Sequence, residues 1–283
     1  MSDGGRSVNG DLTELKHHFR FGENWRSFSA SLDDVRIDAA IKELKRLCPD
    51  EILKGARMLD IGCGSGLSAL AALRSGCSAV RCIDLDPDSV ATTSAMLNRL
   101  AVGKDWTVAE RSVFDLDAAQ DGQFDIVHSW GVLHHTGRMW EAVGCAADLV
   151  RPGGHLVVAL YAKTPVCRFW RTEKRLYAKA PGGLQAAIRG VFRAAYLIAI
   201  AASGRNPVAY VRDYPAKRGM SWSHDVHDWL GGYPYESATP AEVGAFLSSR
   251  GFVSKLENIR PVPALGVFGS PCHEYLFRRG TIL

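Results

Sequence analysis

The sequence has few of the features that mark secreted, membrane-spanning or zinc-binding proteins. Its seven cysteines are scattered through 283 residues without a Cys-x-x-Cys pair, which disfavours a zinc site and a disulfide framework. The N-terminal residues are polar and glycine-rich, unlike a secretion signal. The longest apolar run, Ala194 to Ala202, is shorter than the ~20 residues that span a bilayer. We therefore expect a protein of a reducing cytoplasm.

The sequence also lacks a large excess of positive or negative charge. The net charge is +4 at pH 7, which does not require a nucleic-acid partner. Residues 163–193 are the exception, with eight Lys or Arg against one acid, Glu173. A solvated face of a helical segment is the first interpretation. A phosphate-rich partner such as tRNA is a second, and a membrane surface is a third because apolar residues follow from Val191 to Ala202.

Metal ligands are not well arranged either. His224, Asp225, His227 and Asp228 are suitable ligand types. However, neighbouring residues of a regular element point in different directions and cannot all converge on one ion. We interpret this segment as helix capping and internal hydrogen bonding, and we expect no metal.

The most informative segment runs from Arg57 to Gly66. A short apolar run ends on Asp60 and then opens into glycines at every second position, 62, 64 and 66. Glycine permits positive φ angles and a close approach of backbone N–H groups to a ligand. The third glycine comes one residue earlier than in the Gly-x-Gly-x-x-Gly of pyrophosphate loops. The preceding acid repels phosphate and suits a cation, such as the ammonium of an amino-acid moiety.

A second acid completes the pattern. Residues 79–84 predict a second strand that ends in Asp84, 24 residues after Asp60. A carboxylate in that position can accept hydrogen bonds from both hydroxyls of a ribose. The loop and the two acids together fit an adenosine that carries an amino-acid tail.

These residues resemble motif I and the following acidic motif of the class I S-adenosylmethionine-dependent methyltransferases. Residues 124–136 are similar to the family's fourth strand and its loop, and residues 150–158 to the turn into its fifth strand. The chain further resembles a bacterial subgroup grouped with ubiquinone-biosynthesis O-methyltransferases. The segments that carry this second resemblance are 21–25, 129–137, 218–220 and 228–234.

The order of predicted elements indicates an α/β fold of Rossmann-like type, with a seven-stranded, mostly parallel sheet. We expect an N-terminal helical segment or lid over residues 1–55, a cofactor-binding core over 56–162, a helical cap inserted after strand 5 over 163–236, and the last helix and two strands over 237–283. The predicted strands lie near 57–61, 79–84, 106–111, 124–129, 155–161, 252–259 and 272–278.

The resemblance implies that S-adenosylmethionine is the cofactor. Asp60 and the loop would hold its methionine part, and Asp84 its ribose. Leu85 would pack on the adenine. The remaining expected contacts are loop residues Gly62, Cys63, Gly64, Ser65 and Gly66, then Ser112 and Val113 at the adenine edge, and Ser129 and Trp130 on the methionine side.

Three residues are candidates for acid–base chemistry. His134 and His135 follow the fourth strand, where a methyl acceptor would lie, and histidine titrates near neutral pH. The alternative is that they serve loop structure or cofactor contact. Tyr161 ends the fifth strand and is either a further candidate or a wall of the site.

Acceptor specificity is predicted to reside in the cap and the N-terminal lid. An insertion after the fifth strand leaves from the edge of the sheet where ligands bind. Phe19, Phe21, Trp25 and Phe28 are expected to close over the site. Packing within the cap or on the core is the alternative for all of these side chains. The expected acceptor-binding residues are Arg218, Met220, Trp222, Asp228, Trp229 and Tyr233.

The sequence therefore predicts a methyltransferase that acts on a hydroxyl or phenol oxygen of a small molecule. Two alternatives remain: an RNA methyltransferase that uses the basic cap, and a non-catalytic protein that binds the cofactor. The complete glycine loop and its two acids speak against the second alternative.

Overall fold

The computed structural model describes residues 33–218 and 221–281, and only the backbone of residues 215–218 and 224. The predicted lid residues Phe19, Phe21, Trp25 and Phe28, and the predicted acceptor residue Met220, lie outside the described residues.

A seven-stranded sheet forms the centre of the fold. Its strand order is β3-β2-β1-β4-β5-β7-β6, with β1 to β5 parallel and β7 antiparallel to both β5 and β6. The order reverses between β1 and β4, so a crevice opens at their carboxyl ends. The predicted Rossmann-like fold is confirmed. The strands are β1 Arg57–Ile61, β2 Ala79–Asp84, β3 Asp105–Glu110, β4 Phe124–Trp130, β5 Val150–Tyr161, β6 Phe252–Asn258 and β7 Cys272–Arg279.

Helices connect the strands and build the cap. At the N-terminus of the last helix, Thr239 and Glu242 form a capping box and Pro240 occupies the first helical position. The helices are α1 Asp34–Leu47, α2 Asp50–Leu53, α3 Leu67–Arg74, α4 Pro87–Leu100, α5 Ala118–Asp121, α6 Met139–Asp148, α7 Cys167–Lys179, α8 Gly182–Ala202, α9 Pro207–Arg218, α10 Trp222–Gly231 and α11 Pro240–Ser248.

Two apolar clusters cover the two faces of the sheet. Along β1, Met58 belongs to the cluster under α1, α3 and α4, while its neighbour Leu59 belongs to the cluster under α6 and α11. Successive side chains of a strand point to opposite faces, so both faces of β1 are apolar and buried. Both faces of the sheet are therefore covered, and its carboxyl edge can carry a site.

The cap consists of α7 to α10 around its own apolar cluster. Trp170, Tyr177, Trp222 and Tyr235 are buried in it, together with Val226 and Leu230. These four aromatic side chains therefore pack within the cap, which is the alternative to acceptor binding that the sequence left open. The division of the chain at residues 55, 162 and 236 stays a prediction.

Helix α8 corrects one expectation from the sequence. The helix is 21 residues long, with a mean hydropathy of 1.4 over its most apolar stretch, and only 6% of that stretch is buried. By length and composition alone it could cross a membrane. The estimate from Ala194 to Ala202 was too short because Arg189 and Arg193 interrupt the apolar run without ending the helix.

Candidate functional site

The glycine loop turns from β1 into α3. Gly62, Gly64 and Gly66 all have positive φ angles, of 73°, 55° and 77°. The N–H of Gly62 donates to the Ile83 carbonyl at 2.8 Å, and that of Gly66 to the Cys63 carbonyl at 2.7 Å. The protein itself uses these two N–H groups, which fix the shape of the loop. The expected contacts of Gly62 and Gly66 with the cofactor stay predictions.

Two of the glycines are required by packing. A Cβ on Gly62 would lie 2.4 Å from Val132, and one on Gly66 would lie 2.6 Å from Met96 and 2.8 Å from Thr93. Both positions combine a positive φ with this close contact, so any side chain is strained there. The loop is packed against α4 and the segment after β4, and Cys63 and Ser65 are buried within it.

Asp84 links the end of β2 to the loop. Its Oδ2 accepts from the Gly64 N–H at 2.9 Å, and its Oδ1 accepts from the Asp86 N–H at 2.9 Å. Burial raises the pKa of this carboxyl to about 6, against the effect of these two N–H donors. A carboxylate has about four acceptor sites, so two remain for a diol such as that of ribose.

Asp60 at the end of β1 is almost fully buried. Its Oδ1 lies 2.7 Å from Nδ1 of His128, the residue that it faces on β4. Its Oδ2 is buried and lacks a hydrogen-bond partner among the described residues. A buried carboxylate oxygen without a donor is costly, so a donor from a ligand would fit this position.

The end of β4 contributes Ser129 and Trp130. The Ser129 hydroxyl donates to the Ile61 carbonyl at 3.1 Å, which ties β4 to β1. Trp130 is 41% exposed, and its indole N–H donates to Oε1 of Glu274 at 2.9 Å. Arg46 donates to the other oxygen of Glu274 at 2.7 Å, and Arg260 lies within 3.3 Å of both. This buried carboxylate fixes the Trp130 ring at the surface of the crevice.

The side expected to hold adenine is formed after β2 and β3. Leu85 is half-buried beside Asp84, and Val113 is buried. The Ser112 hydroxyl accepts from the Phe114 N–H at 3.3 Å, and the Ser112 N–H donates to Asp115. Ser112 therefore caps the turn from Val113 to Asp115, so its expected contact with adenine stays a prediction.

The structure brings together the three candidate acid–base residues. The His134 ring lies 3.9 Å from the Tyr161 ring and 4.4 Å from the His135 ring, measured between centroids. Nδ1 of His135 lies 2.7 Å from the Pro234 carbonyl, which can only accept, so Nδ1 carries the proton. In the neutral ring the basic lone pair is then on Nε2. Gly232 makes room for this ring, since a Cβ there would lie 2.7 Å from its Cε1.

Burial separates the roles of these groups. His134 is fully buried, and burial lowers its pKa well below the usual value, with His135 and Lys174 adding to the shift and the Ala159 carbonyl opposing it. Burial also raises the pKa of Tyr161 well above its usual value. At neutral pH His134 is therefore an uncharged, weak base, and Tyr161 stays a phenol.

The expected acceptor residues lie in different places. Trp229 packs edge-on against Tyr161, with ring centroids 5.3 Å apart, so it borders the acid–base cluster. Trp222 is buried beside Tyr196 and Tyr210 in the cap. Asp228 and Tyr233 are half-buried on α10 and after it, and Arg218 ends α9 with its side chain outside the description. Of the expected acceptor residues with described side chains, Trp229 has the strongest geometric case.

The basic stretch is largely occupied within the protein. Lys163 pairs with Glu242, Arg171 donates to the Tyr235 carbonyl, and Lys174 is buried. Arg189 donates to the Tyr177 hydroxyl, and Arg193 to the Ser223 hydroxyl. The exposed remainder is Arg168, Arg175 and Lys179.

The side chains of the suspected metal segment also have other partners. His227 lies 2.7 Å from the Tyr177 hydroxyl, and the Tyr214 hydroxyl donates to Asp225. Residues 33–218 and 221–281 contain no group of three or more His, Cys, Asp or Glu side chains suited to a metal.

Three important residues were missed in the sequence. His128 orients Asp60, and Glu274 orients Trp130. Neither was singled out as a site residue, because only strand register brings it to the site. Lys174 was counted as a surface charge. Its spacing from Trp170 and Tyr177 is four and three residues, which is the period of one helix face and could have indicated burial.

Sequence comparison agrees with this geometry. A family model described as "Methyltransferase domain" matches residues 34–203. Ubiquinone biosynthesis O-methyltransferase of Xanthomonas euvesicatoria pv. vesicatoria is 38% identical over 135 residues, which are 48% of this chain and 52% of that protein. The same-named protein of Xanthomonas oryzae pv. oryzae is 35% identical over 135 residues. The chain thus spans about half the length of the curated relatives it matches.

Solved structures show the same fold. Magnesium protoporphyrin IX methyltransferase from Synechocystis PCC 6803 with bound SAM superposes with a TM-score of 0.56 and 14% identity, covering 97% of this chain and 100% of that one. An O-methyltransferase family protein from Burkholderia thailandensis gives a TM-score of 0.55 at 16% identity, covering 98% and 66%.

The sheet order and the loop with its two acids define a Rossmann-like methyltransferase fold. With the family match over 60% of its length, the chain belongs to the methyltransferase-domain family. The resemblance to S-adenosylmethionine-dependent methyltransferases is confirmed, and S-adenosylmethionine is the family's cofactor.

Proposed function

We propose that the protein moves a methyl group from S-adenosylmethionine to a hydroxyl or phenol oxygen of a small molecule. One observation carries the proposal: Asp60, with its unpartnered buried oxygen, and Asp84 lie at the same edge of the sheet as the cluster of His134, His135 and Tyr161. A cofactor cradle and a cluster of titratable rings therefore lie at one edge of the sheet.

The residues fit the cofactor at both ends. Oδ2 of Asp60 would accept from the ammonium of the methionine part, which removes the unpaired buried oxygen. Asp84 would accept from the ribose hydroxyls, and the N–H of Gly64 keeps its carboxylate turned toward the loop. Leu85 and Val113 would pack against the adenine, and Trp130, held by Glu274, would line the methionine side.

When bound, the cofactor would supply an activated sulfonium methyl group for the acceptor oxygen, with its neutral sulfur as the leaving group. The protein must align the acceptor oxygen, exclude water and remove the acceptor's proton. We assign proton removal to Nε2 of His135, because the Pro234 carbonyl fixes the proton on Nδ1. His134 and Tyr161 are less suited, since burial keeps the first weakly basic and the second protonated.

Labelled cofactor tests this function. The protein is incubated with methyl-labelled S-adenosylmethionine and fractionated host extract, and labelled products are identified by mass spectrometry. We expect a labelled small molecule from the wild type. His135→Gln should lower its formation by about 10²-fold or more while S-adenosylhomocysteine binds as before. Label in tRNA, or no product from any fraction, would contradict the proposal.

We also propose that the cap lies against a membrane surface. Helix α8 exposes Leu184, Val191 and Ile198, which are seven residues apart and so share one face. Helix α7 exposes Phe169 and Leu176 among its exposed basic residues. An apolar stripe beside basic charge suits an anionic lipid surface better than RNA. The other face of α8 packs in the cap, which favours lying on the bilayer over crossing it.

Vesicle sedimentation tests this contact. Wild-type protein should sediment with vesicles that contain anionic phosphatidylglycerol, and Val191→Glu with Ile198→Glu should abolish this. Val102→Glu is the matched control, because Val102 is an exposed apolar residue outside the cap. Equal sedimentation of all three proteins would contradict membrane contact through α8. The seven cysteines are all unpaired, which supports placing this surface on the reducing, cytoplasmic side.

A further inference from the structure

Buried polar atoms without partners are concentrated beside the acid–base cluster. Among the residues that the structure describes, such atoms include both carboxylate oxygens of Glu173, Nζ of Lys174 and Nε1 of Trp229. Folded proteins pair nearly all buried polar groups, so a local concentration of unpaired ones needs an explanation. A ligand that supplies the missing partners is one.

Lys174 is the central member of this group. Its side chain is fully buried, and Nζ lies 3.6 Å from the centroid of the Trp229 ring. The rings of Tyr235 and Trp170 lie at 5.4 Å and 5.9 Å. Attraction to aromatic faces offsets only part of the cost of taking an ammonium out of water. Three N–H donors remain without an acceptor.

Glu173 does not supply an acceptor for the Lys174 ammonium. It precedes Lys174 on α7, and successive residues of a helix point about 100° apart. No hydrogen bond or ion pair joins the two side chains, because the carboxylate oxygens and Nζ are all without partners. The ammonium therefore lacks an anion in direct hydrogen-bond contact, which a buried cation requires.

The position of Lys174 links it to the acceptor. Its Nζ covers one face of Trp229, whose edge contacts Tyr161, and Tyr161 in turn stacks against His134. Tyr161 is the last residue of β5, at the carboxyl edge of the sheet. The ammonium is thus separated by a single indole ring from the place proposed for the acceptor.

We propose that Lys174 binds the methyl acceptor, and that the acceptor is a flat molecule that carries a carboxylate. This inference rests on the proposed function, since it names the substrate class of the same site. The carboxylate accepts from the three N–H groups of Lys174 and neutralises its charge. Trp229 covers Nζ in the free protein, and its ring moves aside for the carboxylate. Its own unpaired N–H is then a second donor to the ligand.

A matched pair of probes tests the charge requirement. The protein is first saturated with S-adenosylhomocysteine and then titrated in a calorimeter with 3-hydroxybenzoate or with 3-hydroxybenzamide, which has the same ring and hydroxyl but no charge. We expect the acid to bind the wild type at least tenfold more tightly than the amide. Lys174→Met should reduce this preference to less than twofold. Lys179→Met, the same change at an exposed position of the same helix, should retain it.

Each outcome has one meaning. A wild type that prefers neither probe, or binds neither, overturns the inference, and so does a Lys174→Met protein that keeps the preference. The titration with S-adenosylhomocysteine distinguishes a failure of this inference from a failure of the proposed function. If S-adenosylhomocysteine does not bind, the proposed function fails; if it binds and the acid is not preferred, only the role of Lys174 fails. Circular dichroism of each variant shows whether it is folded.

Discussion

Replacing Lys174 by Met tests whether a cation is buried in the cap. Burial lowers the pKa of this ammonium from 10.5 to about 7, with the nearby Glu173 opposing the shift. A base whose pKa is lower in the folded state binds fewer protons there than when unfolded. Between pH 7 and 10.5 the stability of the wild type therefore rises with pH.

The magnitude follows from the two pKa values. A fall from 10.5 to about 7 corresponds to roughly 4 kcal/mol of lost stability at pH 7, as an upper estimate. Met fills nearly the same volume without the charge, so the variant should be about 2–4 kcal/mol more stable at pH 7. From pH 7 to pH 9 that advantage should shrink by about 2 kcal/mol, because the folded wild type has lost the Lys174 proton that the unfolded chain still binds.

Urea unfolding at pH 7, 8 and 9 measures this difference. Ionisable groups elsewhere in the chain are the same in both proteins, so their contributions cancel in the difference. Glu173, whose pKa burial raises to about 7, is the exception, and repeating the pair in a Glu173→Gln background removes it. Lys179→Met should change stability by less than about 0.5 kcal/mol at every pH. An advantage that does not change between pH 7 and pH 9, or a Lys174→Met protein that is less stable throughout, would refute the reasoning.

Three further predictions concern the cofactor site and its neighbours. Asp84→Ala should weaken S-adenosylhomocysteine binding by about 1.5–3 kcal/mol, because it removes charge-assisted hydrogen bonds. The wild-type affinity should fall as the pH drops through about 6, where this carboxylate takes up a proton. Calorimetry at pH 5 and pH 7.5 measures both effects, and a pH-independent affinity would count against Asp84. Gly64→Val should abolish binding while most of the fold remains, since φ is 55° there. Gly66→Val should unfold the protein, because its Cβ would overlap Met96 and Thr93. Circular dichroism that shows both variants equally folded would disprove this distinction. Trp229→Phe should lower acceptor turnover while cofactor affinity stays within about 0.5 kcal/mol, and a parallel loss of both would make Trp229 structural.

The sequence was informative wherever local chemistry decides the structure. Asp60 and Asp84 were placed at strand ends because an apolar run must stop where a polar side chain is needed, and both lie at the carboxyl edge of the sheet. The capping box of Thr239 and Glu242 depends only on neighbours in the chain, so the sequence alone can indicate it. The strand order could be expected from the family resemblance, because alternating strands and helices fold in few ways.

The sequence was uninformative where distant segments meet. His128 becomes the partner of Asp60 only through the pairing of β1 with β4, and Glu274 reaches Trp130 across 144 residues. The close packing around Gly62 and Gly66 could not be foreseen, because their neighbours Val132, Met96 and Thr93 come from other elements. Lys174 appeared as one of eight basic residues, since side-chain burial in a cap depends on how four helices pack.

The most direct test of the account is calorimetric titration of the wild-type protein with S-adenosylhomocysteine and, separately, with NAD. The loop and its two acids should bind S-adenosylhomocysteine at one site per chain, with weaker affinity in Asp84→Ala. They should not bind NAD, because an acid precedes the first glycine and the third arrives one residue early. Binding of NAD, or no binding of S-adenosylhomocysteine by the folded protein, would contradict the central claim.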